Sequence, residues 1–214
     1  MSKMAFPKRL LEGYRAFRDS RLPTEQSRFR ELAEIGQSPE IMVIGCCDSR
    51  VSPEVIFDAS PGELFVVRNV ANLVPPYSPS SSQHGVSSAI EFAVQALKVK
   101  HIVVLGHARC GGIRAFAEQE QPLSPGDFIG KWMSLIAPAT ERVAARHSIP
   151  AEEYLERLEQ ASILQTLDNL RTFPFVAGRE EAGELALHAA YFDVATGLLA
   201  VGEEGVGDFS LASG

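Results

Sequence analysis

The chain has little cysteine, no excess of positive charge and no long apolar run, and each shortage excludes a class. Only three of its 214 residues are cysteines, Cys46, Cys47 and Cys110. An odd, clustered set is not the even framework that staples small secreted domains, so the sequence implies a reducing compartment, most simply the cytoplasm. Acidic residues outnumber basic ones by 27 to 20, a formal net charge of −7. A nucleic-acid partner normally demands a basic face, so none is expected. No apolar run approaches the roughly 20 residues that span a bilayer. The first residues carry some positive charge but no apolar stretch of the secretory kind. No membrane partner is expected either. There is no internal repeat, no interdomain linker and no Cys-x-x-Cys pair of the sort thiol redox proteins use.

What is present is ordinary globular composition, 45% hydrophobic and 22% charged, in a chain long enough for one full core. Residues 1–36 read as a helical arm. Phe6, Leu10, Tyr14 and Phe17 share one face, and Thr24 is expected to start a second helix that ends near Gly36. The aromatic face packs either on the chain's own core or on a neighbouring subunit. Residues 37–214 read as a single α/β domain. Its strands are expected at 41–45, 63–68, 101–106, 185–193 and 198–201, the last two joined by a turn at 195–197. Helices are expected from Ser52-Pro53, with Ser52 as cap, at 87–98 (mostly apolar, hence buried), from Gly111, and at 127–146 and 151–171. The Pro- and Ser-rich stretch 69–83 is a loop long enough to line a pocket, and the tail from Glu203 is loosely held. A strand–helix–strand order ending at 106 implies a right-handed crossover and a parallel sheet.

Two short segments carry the chemistry. Cys46-Cys47-Asp48-Ser49-Arg50 and His107-Ala108-Arg109-Cys110-Gly111-Gly112 each follow an expected strand, and neighbouring parallel strands bring such loops together. Cys46, His107 and Cys110 form a soft ligand set suited to zinc. Three protein ligands leave the fourth position to water, as catalytic zinc requires. Two thiolates acidify that water less than three imidazoles would, so it needs local help. Asp48 can accept its proton, and Arg50 can lock Asp48 in a bidentate pair that depresses its pKa. The plainer alternative for the pair is a loop salt bridge. Cys47, facing the other way, reads first as a small buried hydrophobe, with a spare ligand or redox thiol as the alternative. Gly111 and Gly112 would let the backbone approach the metal closely and line the pocket, or serve plain turn chemistry. Arg109 is a surface or interface cation. His84, His101, His147 and His188 lack ligand spacing, although His84 could reach the pocket wall from the long loop.

Cys46-x-Asp48-x-Arg50 with His107-x-x-Cys110-Gly111-Gly112 resembles the β-class carbonic anhydrases. Supporting stretches at 48–51, 61–65, 67–72, 89–94 and 191–193 extend the likeness over roughly residues 25–200. The resemblance implies a mostly parallel central sheet flanked by helices, C-terminal strands extending one edge, and an N-terminal helix lying across a neighbour. It implies a zinc lyase with one Zn2+ per chain. The reaction would be reversible hydration of carbon dioxide to bicarbonate by zinc-bound hydroxide assisted by Asp48 and Arg50. A homodimer or a higher assembly such as a tetramer is implied as well. Hydrolysis of carbon disulfide or carbonyl sulfide is the alternative on the same ligand set. Two departures stand out. Ser60 occupies a position where many members carry a substrate-bonding Gln. One branch of the family has a regulatory bicarbonate pocket built from Trp, Arg and Tyr. Here those positions are Val43, Arg68 and Phe192, so only the Arg remains and no bicarbonate-driven closure is expected.

Overall fold

The computed structural model describes residues 5–80, 85–118, 127–202 and 208–212. The chain parts between Ser38 and Pro39 into two compact units. The first is one nearly continuous helical path: α1 (Lys8–Ala16), a wider π-helical turn at Phe17–Arg21, and α2 (Leu22–Ile35). Thr24 therefore does not start a helix. It lies inside one, its Oγ1 donating to the Arg21 carbonyl at 2.7 Å. The wide turn falls where Pro23 lacks the N–H that would bond back one turn, and a π-turn is a common accommodation of such a gap. Gly36, at φ 86°, ends the path. Phe17 packs edge-on against Phe29 at 6.0 Å, whereas Phe6, Leu10 and Tyr14 stay largely exposed.

The second unit is a six-stranded sheet in the order β2-β1-β3-β4-β5-β6. β2 (Leu64–Asn69), β1 (Ile41–Cys46), β3 (His101–His107) and β4 (Ala186–Phe192) run parallel. β5 (Leu199–Gly202) and β6 (Phe209–Leu211) continue antiparallel at one edge, so the expected fold class holds. β6 is a correction, because part of the tail read as loose forms an edge strand on β5. Alternation decides the faces: Met42, Ile44, Ile102 and Val104 enter the main core, while Val43 and Leu105 join the opposite one.

Helices follow the expectations with four changes. α3 (Pro53–Ile56) begins at Pro53, but the Ser52 hydroxyl donates to Glu54 instead of capping the helix. α4 (Gly85–Glu91) runs into a π-helical stretch at Phe92–Leu97. It buries only Ile90, Ala93 and Val94, and Phe92 is 48% exposed, so this helix is amphipathic rather than buried. After α5 (Gly111–Ala117), α6 (Asp127–Met133) gives way to a 3-10 helix at Ser134–Arg142 that contains Pro138, which cannot donate to a regular α-ladder. α7 (Ala151–Arg171) is as expected, and α8 (Pro174–Glu181), opened by its proline, was not. The long loop contains a 3-10 turn at Val70–Asn72, with Ala71 and Asn72 left-handed at φ 64° and 50°. His84 lies outside the described residues. α7 crosses β3 closely enough that a Cβ at Gly106 would sit 2.5 Å from Ile163 Cδ1, so only glycine fits there.

Candidate metal centre

β1 and β3 are neighbours in register, Gly45 beside Leu105, so the loops leaving their C-terminal ends meet. They bring Cys46, His107 and Cys110 together, with one ligand atom from each and all of these within 4.8 Å of one another. All three residues are buried. The His107 Nδ1 is 2.9 Å from the Ala108 carbonyl oxygen, a contact that fixes the proton on Nδ1 and leaves Nε2 with its lone pair. That Nε2 is buried and has no hydrogen-bond partner. A buried imidazole nitrogen without a partner, facing two sulfurs, is the arrangement a soft divalent metal satisfies, so the donor set fits zinc.

Electrostatics agree with that fit. A hydrogen bond from the Cys110 thiol, together with the nearby His107 ring, holds the Cys46 thiol well below its ordinary pKa. The same contact, with burial, pushes the Cys110 thiol up. Burial opposes a charged His107, but the nearby Cys46 outweighs it and the His107 pKa lies above the ordinary value.

Asp48 stands at the mouth of this cluster, its Oδ2 3.9 Å from His107 Nε2. Arg50 holds it in a bidentate pair, Nε on Oδ1 at 2.9 Å and Nη2 on Oδ2 at 2.7 Å, and the Arg50 backbone N–H adds a bond to Oδ1 at 2.9 Å. These bonds, against some burial, hold the Asp48 carboxyl far below the usual carboxylate range. Arg50 Nη2 also donates to the carbonyl oxygen of Arg109 at 3.1 Å. Arg109 is left-handed, at φ 59°. Arg68 clamps the first loop from below, donating to the carbonyl oxygens of Cys46, Asp48 and Val51 at 2.6–2.8 Å. The indole N–H of Trp132 donates to the Val70 carbonyl at 2.8 Å, beside the second loop.

One expectation changes. Cys47 is exposed rather than a buried hydrophobe, and it stands outside the ligand cluster. Of the two glycines, Gly112 is the more closely packed. A Cβ there would meet Val70 Cγ1 at 3.1 Å and Met133 Cε at 3.2 Å, whereas one at Gly111 would meet nothing within 4 Å. His101 and His188 pair with each other across β3 and β4, with ring nitrogens 3.1 Å apart.

Residues 41–199 match the family described as carbonic anhydrase. A carbonic anhydrase of Synechococcus elongatus is 33% identical over 192 residues, 89% of this chain and 69% of that protein. The chloroplastic β-carbonic anhydrase 5 of Arabidopsis thaliana is 35% identical over 179 residues, 83% of this chain and 58% of that protein. Among solved structures, the β-carbonic anhydrase CcaA superposes with a TM-score of 0.83 at 28% identity, covering 97% of this chain and 92% of its own. A tetrameric β-carbonic anhydrase of Sordaria macrospora superposes at 0.77 with 29% identity, covering 94% and 96%. The chain belongs to the β-carbonic anhydrase family. The expectation of an enzyme of this family is met, since the matched family and these relatives are carbonic anhydrases.

Sequence reasoning missed one part of this β-carbonic anhydrase site. Glu159 on α7 is buried; its Oε1 accepts the Cys110 N–H at 2.8 Å and its Oε2 accepts the Tyr191 hydroxyl at 2.7 Å. Burial pushes the Glu159 carboxyl up, against those two bonds, and burial followed by the Glu159 charge pushes the Tyr191 phenol up. A signal existed: Glu159 shares a helical face with Leu155, Leu158 and Ser162, all buried, and an acid within an apolar stripe needs a partner.

Proposed function

We propose that the chain binds one zinc ion per chain through Cys46 Sγ, His107 Nε2 and Cys110 Sγ and catalyses the reversible hydration of carbon dioxide to bicarbonate and a proton. The observation that carries the reading is the partnerless His107 Nε2, buried with two sulfurs beneath a carboxylate that is already ionised. When bound, zinc supplies Lewis acidity that makes water a usable nucleophile near neutral pH. The chain's residues supply the rest. Asp48 Oδ1 is taken up by two bonds from Arg50, which leaves Oδ2 with a free lone pair toward the ligand cluster. Oδ2 therefore accepts the hydrogen bond of an incoming water, orients its oxygen toward the substrate carbon and favours loss of its proton. Arg50 keeps Asp48 ionised and, by bonding Arg109 of the second loop, keeps it from swinging inward. Gly112 keeps the second loop narrow beside Val70 and Met133.

In this reading residues 37–214 form the catalytic domain and 1–36 an arm that reaches a second copy, giving a homodimer or a tetramer. The exposed Phe6, Leu10 and Tyr14 support it, as does the relative described as tetrameric. No helix among the described residues is long and apolar enough to cross a membrane. The three free cysteines suit a reducing compartment such as the cytoplasm. Bicarbonate-driven closure is absent, because the Arg68 guanidinium already bonds three carbonyl oxygens and Val43 is buried among apolar neighbours. Steep, cooperative inhibition by bicarbonate would contradict that point.

Zinc stoichiometry and carbon dioxide hydration measured on one sample test the whole reading. Near-stoichiometric zinc with turnover is expected, and a zinc-free active sample would refute it. Turnover of carbonyl sulfide or carbon disulfide in place of carbon dioxide would replace the substrate half.

A further inference from the structure

The geometry points to Glu159 as a positioning residue for the metal loop: its carboxylate, oriented by Tyr191, fixes the backbone of Cys110 and so aims the Cys110 sulfur. The inference rests on the zinc site proposed above. Among the described residues Glu159 is the only buried carboxylate, 4% exposed. Its two hydrogen-bond partners, a backbone amide and a phenol, are neutral. A carboxylate buried without a cation is expensive, and an apolar side chain of similar size would pack better between Leu155 and Leu158. The position therefore calls for an acceptor rather than for filling.

The acceptor is needed because of where Cys110 lies. Cys110 is the N-cap of α5, with φ −69° and ψ 116°, and its own N–H has no preceding turn to bond. The residue is buried, so water does not reach that N–H, and an orphaned amide in a ligand loop would let the loop shift to find a partner. Glu159 supplies the partner from α7, an element packed on both β3 and β4. Tyr191 then sets the carboxylate rotamer from β4. The next residue on that strand, Phe192, accepts the Ala108 N–H on its carbonyl at 2.9 Å. Two successive residues of β4 thus hold the second loop at two points, directly behind His107 and through Glu159 behind Cys110. Both ligands of that loop are referenced to one strand.

The role is geometric, so it separates from charge. In Glu159→Gln the amide oxygen can still accept from Cys110 and the amide nitrogen can donate to the Tyr191 oxygen. Glu159→Leu removes both bonds at similar volume. Full-length chains loaded with cobalt(II) in place of zinc report the ligand geometry through their sulfur-to-cobalt and ligand-field absorption, and competition with a chelator gives zinc affinity. Glu159→Leu is expected to lose roughly 10- to 100-fold in zinc affinity and to change the cobalt spectrum. Tyr191→Phe should move both in the same direction by less, and Glu159→Gln should keep the original spectrum and affinity. A Glu159→Leu protein unchanged in both, or a Glu159→Gln protein as impaired as Glu159→Leu, would overturn the inference. If Glu159→Leu does not fold, Tyr191→Phe decides, and an unchanged spectrum and affinity there would overturn it. Failure of the underlying zinc reading looks different: the unaltered chain and Cys110→Ser would then give the same cobalt spectrum.

Discussion

The guanidinium of Arg50 lies 3.1 Å from the carbonyl oxygen of Arg109, so the side chain that holds Asp48 also ties the first loop to the second. Asp48 is thus positioned relative to His107 and Cys110 by a bond spanning the two loops, and not by its own loop alone. Lysine at position 50 would keep the charge but lose the fork that bonds both carboxylate oxygens and the carbonyl together. Arg50→Lys is therefore expected to lower hydration on the order of 100-fold while zinc content stays near that of the unaltered chain. Near-normal activity in this variant would show that a point charge is enough.

Asp48→Asn tests the acceptor itself. The amide keeps the shape of the carboxylate but not its basicity, so hydration should fall on the order of a hundredfold or more with zinc still bound. Turnover and metal content measured together distinguish this from a collapsed site, in which both would fall.

Metal content also separates the two adjacent cysteines. Cys46→Ser should lose zinc, because Cys46 lies in the ligand cluster. Cys47→Ser should keep it, because Cys47 faces solvent. The reverse pattern would reassign the ligand set.

The pH dependence follows from the depressed Asp48 pKa. The ordinary value is 3.8, and the bonds from Arg50 place the folded-state value well below it. A depressed carboxyl contributes stability that is complete above its unfolded pKa and is lost as pH falls toward the folded one. Asp48 is therefore ionised throughout the working range, and between about pH 5 and 9 it should add no inflection to the activity profile. Arg50→Gln removes the main cause of the depression, so a carboxyl titration should then move upward. Carbon-13 NMR of the Asp48 carboxyl in both proteins reads the shift directly.

Gly112→Ala is expected to destabilise by about 1–2 kcal/mol, because its Cβ presses on Val70 and on the flexible end of Met133. Gly111→Ala should stay within about 0.5 kcal/mol, since its Cβ meets nothing. Denaturant midpoints at constant slope compare them.

The meeting of Cys46, His107 and Cys110 was legible because strand-end loops advertise chemistry by residue type, and the parallel order followed from apolar runs separated by a helical segment. What escaped reading depended on distant pairing. Glu159 and Cys110 are 49 residues apart, and nothing local at either position names the other. Arg68 bonds carbonyl oxygens, which every residue carries, so its role as a clamp leaves no pattern in the sequence. Thr24 misled because a cap residue looks the same inside a helix when a π-turn carries the chain past a proline. β6 escaped because three residues beyond a Gly-rich stretch are too few to establish a period.

The chain contains a single tryptophan. Its indole N–H bonds the Val70 carbonyl, and Val70 in turn sits where a side chain at Gly112 would press. All of the protein's tryptophan emission therefore originates beside the second ligand loop. Intrinsic fluorescence, with no label attached, should follow loading and stripping of the centre in real time, including at concentrations too dilute for absorption spectroscopy.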